Sequence, residues 1–290
     1  MITNPIGFFK TFSGSTFDGD AVNFINVAGI VNTTQKNALN TLVKDLKSTN
    51  LWTKFYAIYP VLGGTAYSHK YNLINPINCI YNGDTGSTCY AGVTGYTSAV
   101  NTAFTLTFTS HWSHTNDGMT PDGIADFADT HFVTDENLVD RDDSHFCIYS
   151  RSDIMVATQQ DLGCATGTAE LMIKPGNGMV DFMNGRGPAN SIAATFVNTL
   201  GLILLTRESS TSLKAYQNNS QIGATATGIH FPGLNINDIY IGAANDDGVA
   251  DNFSNRQLSF ASIGTALTSG EVSSFYTIVQ NYQTTLGREV

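Results

Sequence analysis

Charge is what this 290-residue sequence has little of: 13% of residues are charged, 14 of them basic against 24 acidic. The net charge of −10 disfavours nonspecific contact with nucleic acid or anionic membrane, which clustered cations would have to neutralise. No run approaches the roughly 20 apolar residues that span a bilayer. The opening Met1–Lys10 has neither the basic nor the apolar region of a secretion signal, so neither membrane insertion nor signal-directed export is expected. Cysteine is sparse: Cys79, Cys89, Cys147 and Cys164 include no pair at the two-residue spacing of a zinc site. They read as free thiols, with a Cys79–Cys89 loop staple as the alternative. Gly63-Gly64 is not followed by Lys-Ser/Thr, which excludes a phosphate loop. Glutamate occurs only at Glu136, Glu170, Glu208, Glu271 and Glu289. None lies in the Glu-x-Asp-x-(x)-Glu pattern that sets two carboxylates on one strand face for glycoside hydrolysis. A Gly-x-Ser-x-Gly elbow is also missing, so the expectation is a protein that is not an enzyme and has no catalytic residues.

What is present suits a β-rich, turn-rich fold. There are 27 glycines, and 42% of residues are hydrophobic, enough for a full core. Leu202–Leu205 leads through a polar turn into Ser212–Tyr216, where Leu213 and Ala215 alternate with Lys214 and Tyr216. Asn218-Asn219 suits a tight turn. Asp238–Gly242 and Gln257–Ala261 are further strands, as are Phe55–Pro60, Ala103–Phe108, His145–Arg151 and Ala169–Ile173. Thr268-Ser269-Gly270-Glu271 is a capping box, followed by Val272, Phe275, Tyr276, Val279 and Leu286 at helical spacing. Helical patterns also occupy Ala21–Ala28 and a stretch from about Asn32 to Lys47, whose lysine-bearing face reads as solvated. The expected division is an N-terminal arm over 1–20, with Phe8, Phe9, Phe12 and Phe17, then a helical attachment segment over 21–64 and a sandwich over 65–290 ending in a docked helix.

The hairpin ending Tyr216-Gln217-Asn218, the run Ile239–Gly242 and the capped helix Leu267–Tyr276 together resemble the concanavalin A-like or laminin G-like jelly roll. More narrowly, Leu42–Leu46 with Leu51–Lys54, Ile58–Thr65, His145–Arg151 and Phe260–Arg288 are similar to a family of structural proteins from phages, especially phages of Bacteroidetes. That resemblance implies an all-β jelly roll with a short N-terminal helical segment and a C-terminal helix. Functionally it implies a non-enzymatic virion component: a spike, fibre, capsid-attached or tail protein. Such a protein is made in the host cytoplasm, released by lysis, and assembled as a homo-oligomer with other virion proteins. A lectin-like adhesin independent of a virion is the alternative, with a glycoside hydrolase the less favoured third reading, and host-surface glycans are the outside partner of either of the first two.

Candidate ligand residues are His111, Trp112, His114 and Tyr216, since aromatic and imidazole rings stack on and hydrogen-bond sugars. The histidine spacing equally suits ordinary hydrogen bonding before the Asn116-Asp117-Gly118 turn. Two acidic loops, one with Asp122, Asp126 and Asp129 and the other with Asp246, Asp247 and Asp251, read either as solvated loops or as calcium ligands. Their spacing is not that of an EF-hand. No cofactor is required; calcium is the one ion the loops suggest.

Overall fold

The computed structural model describes residues 17–80, 88–90, 103–166, 170–175, 179–182, 191–193, 196–228 and 236–290. The expected N-terminal arm, apart from its last residues, lies outside them. Two sheets dominate. The first runs Ser220–Ala226, Ser212–Gln217, Gly201–Ser209, Ser144–Ser150, Leu258–Gly264, Gly118–Thr120, Ser113–Thr115, with Phe55–Tyr59 also paired to Leu258–Gly264. The second runs Ser191–Ala193, Met179–Phe182, Glu170–Lys174, Leu162–Ala165, Asp238–Ile241, Ala128–Val133, Thr107–Phe108. Its only parallel contact among the described residues joins Ala244–Asp246 to Leu162–Ala165.

Alternation along the strands decides what lies between the sheets. Phe146, Ile148, Ile203, Leu205, Leu213 and Ile263 of the first sheet meet Ala128, Phe132, Leu162, Ile173, Ile239 and Ile241 of the second in one buried cluster. The other face of the first sheet is covered as well. Cys147, Tyr149, Leu202, Leu204, Tyr216 and Phe260 pack against helices Gly19–Val27, Thr33–Ser48 and Ser269–Thr285. This double covering explains why Leu202–Leu205 is a continuous apolar run rather than an alternating one, and why every residue of Ser144–Ser150 is buried.

Local signals place the elements. Thr268 and Glu271 form the reciprocal capping box, and Glu271 also pairs with Lys54 at 2.7 Å. Asn32 caps the Thr33–Ser48 helix through Gln35 N. Lys47, on the helix face read as solvated, bridges Asp18 and Asp20 at 2.6 Å each and so ties the first two helices together. The Ala244–Asp246/Val249–Asp251 hairpin turns through Asp247 and Gly248, both at positive φ, the Asp-Gly turn whose twist matches its strands. Cys147 and Cys164 are free and buried, while Cys79 and Cys89 are register partners in a two-stranded ribbon.

The strand Ala128–Val133 of the second sheet alternates strictly. Ala128, Thr130 and Phe132 point inward and are fully buried, whereas Asp129, His131 and Val133 point outward and are half-buried. That face carries the groups considered next.

Candidate functional site

The acidic run read as one candidate calcium site divides in two. Asp122 and Asp126 lie with His111, while Asp129 lies with His131 and Asp238; in each group the ligand-type atoms are within 4.8 Å of one another. In the first group the carboxylates are already engaged. Asp122 Oδ1 accepts from the amides of Ile124, Ala125 and Asp126 at 2.8–3.0 Å, which lowers its pKa. Asp126 Oδ1 accepts from Thr109 Oγ1 and from the His111 amide, and its Oδ2 accepts from the Asp122 amide. This is a loop clasp. Calcium takes six to eight oxygens, and here Asp126 uses both carboxylate oxygens and Asp122 its Oδ1 in the clasp. Asp246, Asp247 and Asp251 sit in and beside the tight hairpin turn and join no such group among the described residues.

The candidate ligand aromatics are packed inside. Trp112 is 8% exposed, donates from Nε1 to Phe127 O at 3.1 Å and lies edge-on to Phe108. Tyr216 is 4% exposed and belongs to the cluster beneath the helices. His114 meets His69 with their Nδ1 atoms 2.9 Å apart. Burial lowers both imidazoles, His69 to about 3, so both are neutral and one donates to the other. His111, with its side chain 68% exposed, is the one candidate open to solvent.

The second group has the features of a chemical site. Asp129 and Tyr240 are register partners on adjacent strands. From Tyr240 to Asp238 the chain advances two residues, while its partner advances four, from Asp129 to Val133. This bulge contains His131 at φ 55°, a left-handed conformation that costs a non-glycine residue on the order of 1–2 kcal/mol. The His131 amide donates to Asp129 Oδ1 at 2.7 Å, and its Nε2 is 2.8 Å from Thr107 Oγ1. Thr130, between them, donates from Oγ1 to Ile239 O at 2.7 Å and locks the bulged strand to its neighbour. Phe127 stacks on Tyr240 with centroids 4.2 Å apart, walling one side.

Electrostatics follow from this crowding. Burial, then the Asp238 charge, raise Asp129 to about 7, against the opposing His131 amide. Burial and Glu136 raise Asp238 as well. Burial holds His131 down at about 4, so it is neutral at physiological pH. Burial and the two aspartates push Tyr240 up to about 12. Two carboxyl groups within 4.8 Å, one of them protonated near neutrality, can give and take a proton. The acidic composition around Asp129 was visible in the sequence. Asp238 was not, because only the strand order brings it alongside.

Neither a family model nor a curated protein matches the chain. Solved structures do. A mutant of Trypanosoma rangeli sialidase displaying trans-sialidase activity aligns with TM-score 0.50 and 10% identity over 84% of this chain and 39% of the sialidase. Trypanosoma rangeli sialidase itself aligns at 0.45 and 10%, over 83% and 38%. The K499G mutant of NanB sialidase from Streptococcus pneumoniae aligns at 0.35 and 14%, over 46% and 23%. The chain thus spans about two fifths of the first sialidase's length, and at this identity the likeness establishes the fold alone. Two expectations are corrected. A non-enzymatic virion structural protein, with a free-standing lectin-like adhesin as alternative, gives way to an architecture shared with sialidases. The expectation that the chain is not an enzyme rested on the missing Glu-x-Asp-x-(x)-Glu pattern and the missing Gly-x-Ser-x-Gly elbow; the alignment with a sialidase removes the ground for it.

Proposed function

We propose that this chain is a glycan-processing protein that cleaves glycosidic bonds at the Asp129–Asp238 pair, on a sandwich of the concanavalin A-like jelly-roll type. The observation carrying the proposal is the carboxyl pair itself: oxygens within 4.8 Å, and one group raised to about 7 by burial and its neighbour's charge. Retaining glycosidases hold their carboxyls about 5–5.5 Å apart, so that one is nucleophile and the other acid. Likeness to a sialidase agrees with a sugar substrate and contributes the fold.

The roles follow from proton affinity. Asp129, raised to about 7 by burial and the Asp238 charge, donates its proton to the glycosidic oxygen as the alcohol departs. Asp238, acting as the carboxylate, forms the bond to the anomeric carbon. Water then attacks that carbon, Asp129 takes its proton, and Asp238 is released as carboxylate. His131 positions Asp129 through its amide, and the Thr107 hydroxyl holds the His131 ring.

Release of fluorophore from synthetic glycosides tests the reading. Asp129→Asn and Asp238→Asn are each expected to lower kcat by about 10³-fold while circular dichroism stays unchanged. The wild-type rate is expected to fall as pH rises through about 7, where Asp129 loses its proton. Turnover that survives both substitutions would refute the assignment.

A further inference from the structure

The four cysteines occupy two kinds of place. Cys147 packs in the cluster beneath the helices and Cys164 in the cluster between the sheets, both free and buried. The two cannot meet without opening the core, and burial raises both thiols above their ordinary range, which keeps them from ionising and reacting. Cys79 and Cys89 are placed differently. Asn78–Ile80 and Thr88–Tyr90 pair antiparallel as a two-stranded ribbon separate from the two large sheets. Its register sets Cys79 directly opposite Cys89, flanked by the pairs Asn78 with Tyr90 and Ile80 with Thr88. Residues directly opposed in an antiparallel pair share one face, with Cα atoms about 5.5 Å apart where they exchange hydrogen bonds and about 4.5 Å apart where they do not. Either separation lies inside the range of about 4.4–6.8 Å that a disulfide spans. The root of the ribbon is already fastened, since Thr105 Oγ1 donates to Ile77 O at 2.6 Å and the Leu106 amide to Lys70 O at 2.8 Å. Three register pairs alone make a marginal ribbon in water, and a covalent link at the central pair fixes it.

We infer that Cys79 and Cys89 form a disulfide across the ribbon when a small-molecule disulfide oxidant such as oxidised glutathione is present, and that Cys147 and Cys164 remain thiols. One thiolate of the pair attacks a sulfur of oxidised glutathione, breaking its S–S bond and releasing one glutathione thiolate. The opposed thiolate then attacks the mixed disulfide and displaces the second glutathione. The pair is oxidised, glutathione disulfide is reduced to two glutathione molecules, and these take up the two protons that the cysteines give up.

The test uses the full native chain, equilibrated with oxidised glutathione, alkylated with iodoacetamide as it is denatured, and cut on the amino side of aspartate. Each cysteine then falls on its own peptide: 45–83, 84–116, 143–152 and 161–180. Mass spectrometry is expected to find 45–83 and 84–116 as one linked species that dithiothreitol separates, with the alkyl group on Cys147 and Cys164. A non-reducing gel is expected to show the oxidised chain as a monomer. In Cys79→Ser the link is expected to be lost and Cys89 left as a thiol or a glutathione adduct, with Cys147 and Cys164 alkylated as before. Alkyl groups or separate glutathione adducts on Cys79 and Cys89 of the oxidised wild-type chain would overturn the assignment. So would a link from either to 143–152 or 161–180, or a disulfide that joins two chains.

Discussion

Asp129 shows how the fold changes the chemistry of one residue. In an exposed loop it would be an ordinary carboxylate; on the second sheet it is largely buried beside another acid. Its folded pKa of about 7 lies above its unfolded value near 3.9, so the native state holds the proton more tightly. Its contribution to stability is therefore fully present below about pH 4 and is lost as pH rises toward 7, by about 4 kcal/mol at most. Urea denaturation at pH 5 and pH 8 is expected to show lower stability at pH 8, and Asp129→Asn is expected to flatten that difference. The sequence marked Asp129 only as one member of an acidic run. Nothing local distinguishes it from Asp126, which the fold spends on loop amides. Trp112 and Tyr216 misled in the opposite direction. Aromatics on alternating strands look solvent-facing when one sheet face is assumed open, but the helices close the face that holds Tyr216.

Elements were more legible than residues, because their signals are local. The capping box at Thr268 and Glu271, the Gly201–Ser209/Ser212–Gln217 hairpin and the positive φ of Asn218 each follow from a few adjacent side chains. Thr268→Ala is expected to cost about 1 kcal/mol, readable as a lowered Tm. The bulge at His131 was not legible: histidine is among the residues enriched at left-handed φ, but no adjacent residue marks this one, and Thr130 and Thr107 hold both sides of the bulge through long-range contacts. The strand expected over Ala103–Phe108 is shortened to Thr107–Phe108, with Phe104 at φ 42° and its backbone carbonyl accepting from Tyr59 Oη at 2.7 Å. Apolar alternation placed Phe104 in the core correctly while overestimating the regularity of its backbone.

For the whole molecule, three layers share two clusters: helices, first sheet, second sheet. Phe55–Tyr59, within the segment expected to serve attachment, pairs with Leu258–Gly264 in the first sheet. The sheets are also pinned by Arg256, which donates to the fully buried Asp161 at 2.8 Å with Ser254 alongside. Asp161→Ala is expected to cost about 3–5 kcal/mol, because it strands a buried guanidinium. Phe275→Ala, in the helix layer, is expected to cost about 3–5 kcal/mol. Both are expected to lower a single cooperative calorimetric transition rather than split it. The β-rich class was legible from turns and alternation. The site was not, since it depends on which strands become neighbours across long separations.

If Asp129 is the acid and Asp238 the nucleophile, the nucleophile can be trapped as a covalent adduct. The full chain is incubated with a 2-fluoro-2-deoxyglycoside of whichever sugar it turns over, digested, and analysed by mass spectrometry. The expected result is a glycosyl adduct on the peptide carrying Asp238, formed more slowly in Asp129→Asn. An adduct on another residue, or continued turnover with no adduct at Asp238, would contradict the assigned roles.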